Sequence, residues 1–142
     1  MIPTPPLPLL QLTPRPDLGI LMGRWGFQPG PAQLPAAYEE LARVGLREKC
    51  CFWLQDIRRR TLNDPQTTQW LLTDFFPDMA AQLGARLCVA YLVGPDLHQQ
   101  IVTGPAFAPI DSYTGQPFVV GFFGDEGEAI SWLTAQQEAA HP

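Results

Sequence analysis

A chain of 142 residues with 46% apolar and 16% charged residues has the length of one ordinary domain and enough apolar surface for a single core, which excludes a disordered chain. Nine Lys and Arg against 14 Asp and Glu leave a formal charge of −5. That balance argues against nucleic acid as the main partner, because phosphate binding needs a basic excess.

The opening MIPTPPLPLLQLTP has no positive segment, and its prolines interrupt the apolar run that a signal peptide needs. No run of about 18 apolar residues occurs, so no membrane span is expected and the cytoplasm is the expected location. Residues 1–6 and 138–142 read as tails. Leu7 to Thr13 reads as a strand closed by Pro14 and Pro16, and Gly19 to Phe27 as the second arm of a hairpin. From Gln33, the residues Leu34, Tyr38, Leu41 and Gly45 recur at helical spacing and predict an amphipathic helix ending near Gly45. Lys49 to Asp56 is a continuous apolar run, the pattern of a strand buried on both faces.

Asn63 or Asp64 caps the next helix, with Pro65 in its first turn. Its apolar stripe is Leu71, Phe75, Met79 and Leu83, and Pro77 is expected to bend or split it. Arg86 to Val93 is a second apolar strand, followed by a short helix from Asp96 to Val102. Thr103 to Pro117 is rich in Gly, Pro, Ser and Thr and reads as a loop. Phe118 to Phe123 is a third apolar strand, and the Asp125 to Glu128 capping pair starts the last helix. The order β-β-α-β-α-β-(α)-β-α predicts one α/β domain with a mixed, mostly parallel sheet after an N-terminal hairpin.

The stretch WLQDIRRRTLNDPQTTQWLLTDFFPDMAAQLGARLCVAYLVGPDLHQQ, from Trp53 to Gln100, resembles the SpoIIAA-like family, also called STAS-like. It carries a strand ending in Asp, a loop, a helix with Gln69-Trp70 and Pro77, and a strand ending in a Gly-Pro turn. Similarity of pattern extends over about residues 7 to 135, and is greatest to small bacterial members without an assigned role. The resemblance implies successive β-α units on a mixed sheet and a non-catalytic function in binding a protein partner. Well-understood members are anti-sigma-factor antagonists, switched at a Ser or Thr in a D-[ST]-S-G motif. Asp56 matches the strand-end aspartate, but Ile57-Arg58-Arg59-Arg60 follows it, and the nearby hydroxyls are Thr61, Thr67 and Thr68.

Ligands in open α/β sheets sit beyond the carboxyl ends of parallel strands, so Asp56, Arg58, Arg59, Arg60 and Thr61 form one candidate site, for an anion or a protein partner. A solvated arginine loop beside an ordinary helix cap explains the same residues. Adjacent aromatics on a helix cannot both face the core squarely, which makes Trp70, Phe75 and Phe76 a candidate apolar groove or interface. Core packing is the competing account.

No catalytic set is expected. Ser112 and Ser131 lie in no GxSxG setting, and His98 and His141 are far apart in sequence. No phosphate-cradling glycine motif predicts a cofactor, and the adjacent Cys50 and Cys51 with Cys88 show no metal-ligand spacing and read as reduced thiols. Two functions stay open. One is a regulatory or interaction domain that binds a protein partner or itself. The other is a binder of a small apolar or lipid-like ligand, with its pocket at the strand ends under the Thr103–Pro117 loop, which would act as a lid.

Overall fold

The computed structural model of the protein describes residues 8–105 and 107–140. Five strands form one sheet in the order β1 (Leu10–Arg15), β2 (Ile20–Trp25), β3 (Phe52–Asp56), β4 (Leu87–Leu92) and β5 (Phe118–Phe123). β1 and β2 are an antiparallel hairpin, and β2 through β5 are parallel. The sheet is therefore mixed and mostly parallel, within an α/β domain. Each parallel strand lies beside the one before it, so the sheet is wound in one direction and has no point at which strand order reverses.

Right-handed crossovers that advance in one direction place their helices on one face. That face carries α1 (Leu34–Glu48), then α2 (Pro65–Trp70) with its continuation α3 (Phe76–Leu83), then α4 (Pro95–Val102). The other face is covered by α5 (Glu126–Ala140), where Trp132 packs on Phe123 with ring centres 5.3 Å apart. β4 is buried along its whole length because both of its faces are covered. No helix among the described residues is long and apolar enough to cross a membrane.

Several boundaries differ from the sequence reading, each for a local reason. β1 continues through Pro14 to Arg15, which an edge strand allows because the donor that proline lacks can face solvent. The Leu7 end of that predicted strand lies outside the described residues, as do His141 and the outermost parts of both tails. α5 continues to Ala140, so residues 138–140 are helical.

α1 does not stop at Gly45 but runs to Glu48. Lys49 closes it in the left-handed region at φ 51°, and the Cys50 N–H reaches back to the Gly45 carbonyl. Gly45 has a packing role instead. A Cβ there would stand 2.8 Å from the Trp53 ring, so the missing side chain lets the indole lie directly under the helix.

The helix containing Pro77 is divided in two, as expected, but without an interruption of its winding. Between α2 and α3, Leu71–Phe75 form a π-helical turn in which the Phe76 N–H reaches the Leu71 carbonyl, five residues back. The wider turn puts Pro77 in the first turn of α3, where a missing N–H costs nothing. The extra residue also rephases the stripe, and Leu71, Phe76 and Met79 become the buried positions.

Candidate functional site

Strand parity divides the carboxyl edge of the sheet into two environments. Side chains alternate between faces, and the register aligns Gly23, Gln55, Tyr91 and Phe122 on the face of α1 to α4. Arg24, Asp56, Leu92 and Phe123 align on the α5 face. The Asp56 carboxylate thus lies on the opposite face of the sheet from the helices that supply the aromatic side chains. After Asp56 the chain turns, with the Arg60 N–H bonded to the Ile57 carbonyl, and the three arginines separate.

On the α5 face, Asp56 is enclosed by donors. Arg24 Nη1 and Arg58 Nη2 each lie 2.8 Å from Oδ2, and Arg58 Nε and its backbone N–H lie 3.0 and 3.2 Å from Oδ1. Arg24 also bonds Glu126 of α5 at 2.7 Å. Burial pushes the Asp56 carboxyl up, but the hydrogen bonds from Arg58 and Arg24 outweigh it and hold the group below its ordinary value. A hollow of about 540 Å³ borders this cluster, touching Gln11, Arg24, Asp56, Arg58 and Arg59. Arg59 is exposed there, while Arg24 and Arg58 are already engaged.

On the opposite face lies a cavity of about 250 Å³, walled mainly by apolar side chains. The sheet contributes Tyr91, Val120 and Phe122, and the π-turn helix contributes Leu71, Leu72 and Phe76. α4 contributes Leu97, Gln100 and Ile101, and Gly104, Pro105, Phe107, Ala108 and Tyr113 complete the lining after it. Ile110 to Tyr113 form a 3₁₀ turn, and Arg86 anchors the far end of this segment by donating to the Tyr113 and Gln116 carbonyls. Leu62 and Phe107, both exposed, are also part of the lining.

Arg60 belongs to this cavity, not to the Asp56 corner. It is the only charged side chain in the lining among the described residues and is only 5% exposed. Its guanidinium lies over the Trp25 ring, 4.4 Å from the ring centre, and Nη2 donates to Asn63 Oδ1. Nε and Nη1 are closed to solvent and have no acceptor among the described residues. Nearby, the Tyr91 hydroxyl pairs with that of Tyr38 at 3.1 Å, and burial holds the Tyr91 phenol well above its ordinary value.

The remaining candidates have separate positions. The Thr61 N–H donates to Gln28 Oε1, and Thr67 donates through both N–H and hydroxyl to Asp64, the helix cap, while Thr61 and Thr68 both line the cavity on the face away from Asp56. Phe75 packs among Tyr38, Trp53 and Trp70, which joins α1 to the π turn, and Phe76 faces the cavity and Phe118. Cys50, Cys51 and Cys88 form no disulfide, and burial pushes Cys88 up to about 11. Among the described residues no three metal-ligating side chains converge.

Residue-level reading missed Tyr91, Leu97, Ile101 and Leu62 as cavity walls. Leu97 and Ile101 are four apart on α4 and so share a face, while Tyr91 is the only side-chain hydroxyl in the strand RLCVAYLV. Comparison of the chain with protein-family models, with curated proteins and with solved structures finds no match.

Proposed function

We propose that the protein is a binding domain for a small, largely apolar molecule, held on the helical face of the sheet beside Gly104, Pro105, Phe107, Ala108 and Tyr113. The observation that carries this reading is the cavity of about 250 Å³, apolar on most sides, with the exposed Leu62 and Phe107 in its lining. At protein packing density that volume holds on the order of ten non-hydrogen atoms, the size of a medium-chain aliphatic or a single-ring aromatic compound. The lining offers apolar contact and a few polar atoms, and it contains no His, Cys, Asp or Glu among the described residues. A site of that composition is suited to holding a molecule in place.

The reading of the Asp56 corner as a partner site has less support. Asp56 already accepts four hydrogen bonds, and two of the arginines beside it are paired. A SpoIIAA-like kinship and a cytoplasmic location are retained as part of the proposal, supported by the element order and by three thiols that form no disulfide.

The test is calorimetric titration with 1-octanol, a flexible ligand of suitable size. The wild-type protein is expected to bind it, and Leu72→Trp, which fills the cavity from a half-buried position, is expected to lose binding while keeping its circular dichroism spectrum. A folded Leu72→Trp that binds octanol as well as the wild type would remove the cavity from consideration.

A further inference from the structure

Resting on the ligand-binding reading above, we infer that the bound molecule is an acid: an amphiphile with one carboxylate, or a group of the same charge and shape, whose head is received by Arg60. An apolar cavity alone does not specify a head group. Arg60 does, because of what surrounds it and what is missing.

The guanidinium is taken out of water almost completely. A buried cation is ordinarily paired with a carboxylate, since desolvating it without a partner is costly. Two carboxylates lie four residues from Arg60 in sequence: Asp56 points to the other face of the sheet and is occupied by Arg24 and Arg58, and Asp64 caps its helix by accepting from the Thr67 N–H and hydroxyl. Among the described residues Arg60 makes no salt bridge. Stacking on Trp25 recovers part of the lost hydration, and the Asn63 amide oxygen satisfies one nitrogen. Nε and Nη1 keep hydrogens with neither an acceptor nor solvent. Unsatisfied buried donors are rare enough that each calls for a partner, and here the donors belong to the one charged residue that lines an apolar cavity.

Guanidinium geometry selects the partner. Its planar donors match the two oxygens of a carboxylate, and hydrogen bonds between ionised partners are about twice as strong as neutral ones. The Tyr91–Tyr38 pair adds a neutral contribution. When Tyr38 donates within the pair, the Tyr91 hydroxyl keeps its hydrogen for an acceptor in the cavity, where Tyr91 forms part of the wall. The rest of the lining is mainly apolar, with Leu72, Leu97, Ile101 and Phe107 suited to an alkyl chain or a ring.

The experiment compares probes of equal chain length that differ in the head: octanoate, 1-octanol and octylammonium, titrated into the full chain at neutral pH. Octanoate is expected to bind about tenfold to a hundredfold more tightly than 1-octanol, the range that charge-assisted hydrogen bonds supply, with octylammonium weakest. Arg60→Met is expected to abolish the preference, so that octanoate binds no more tightly than 1-octanol does to the same variant. If wild-type protein binds octanol as tightly as octanoate, or if Arg60→Met keeps the preference, the acid-head assignment is overturned and the apolar site survives. If the wild type binds none of the three, the ligand-binding reading itself falls. Should Arg60→Met fail to fold, the wild-type ranking of the three heads still decides, and Arg60→Lys, which keeps the charge against Trp25, is expected to retain part of the preference for octanoate.

Discussion

Two hollows open at the same edge of the sheet, and they treat their arginines in opposite ways. Around Asp56, two arginines and the backbone converge on one carboxylate, and Glu126 takes the spare end of Arg24. In the cavity on the other face, a single arginine is buried against Trp25 with two nitrogens unpaired. The first arrangement is complete in itself and serves to hold β2, β3 and α5 together. The second leaves two buried donors without an acceptor among the described residues, the feature on which the proposed acid head group rests. Charge density alone does not distinguish a structural cluster from a binding one; whether the donors are already satisfied does.

Substitutions in the two regions sharpen the contrast. Phe76→Ala should have the largest effect, about 3–5 kcal/mol lost in urea denaturation, because a side chain 2% exposed leaves a void in the cavity wall. Asp56→Ala should cost about 2 kcal/mol by the same measurement, less than a fully buried pair, because Arg24 and Arg58 are about half exposed and regain water. The Asp56 contribution also has a sign in pH. With its folded value held below its unfolded one, it stabilises above the unfolded value and is lost as pH falls through the folded value, below about pH 4. Denaturation curves of Asp56→Ala should therefore depend less on pH in that range than those of the wild type.

Arg60→Met should change stability by no more than about 1 kcal/mol, toward stabilisation, since it exchanges an unpaired buried cation for an apolar side chain of similar length. A loss as large as that of Asp56→Ala would mean that Arg60 is already satisfied inside the fold. Arg59→Ala, exposed and unpaired among the described residues, should fall within about 0.5 kcal/mol of the wild type in melting experiments.

Much of the fold could be read from the chain because its signals are local. Phe118 to Phe123 appear as one apolar run, and Asp64 and Asp125 cap their helices as their spacing predicts, with Thr67 and Glu128 donating backbone N–H groups to them. Where a residue served a distant partner, the local signal misled. Gly45 resembled a helix terminus, yet its bareness accommodates Trp53 from the strand below. Pro77 resembled a break, and a π turn absorbed it.

The site was legible only in part. Loop composition and neighbouring aromatics suggest a pocket near Thr103–Pro117, and from that stretch Gly104, Pro105, Phe107, Ala108 and Tyr113 line the cavity. The separation of Arg58, Arg59 and Arg60 could not be read, because three identical residues in a row carry no information on how a turn distributes them between the faces of a sheet. Nor does the edge offer the crevice of a doubly wound sheet, since this one is wound in a single direction.

The π turn carries one consequence for how such a cavity comes to exist. A turn of this kind is an α-helix with one residue added, and each residue rotates a helix by roughly 100°. Deleting a single position between Leu71 and Phe75 would swing the preceding turn about its axis, carrying Thr68 and its neighbours off the wall while Met79 stayed in the core. A one-codon change thus separates a helix that merely covers the sheet from one that helps enclose a chamber against it.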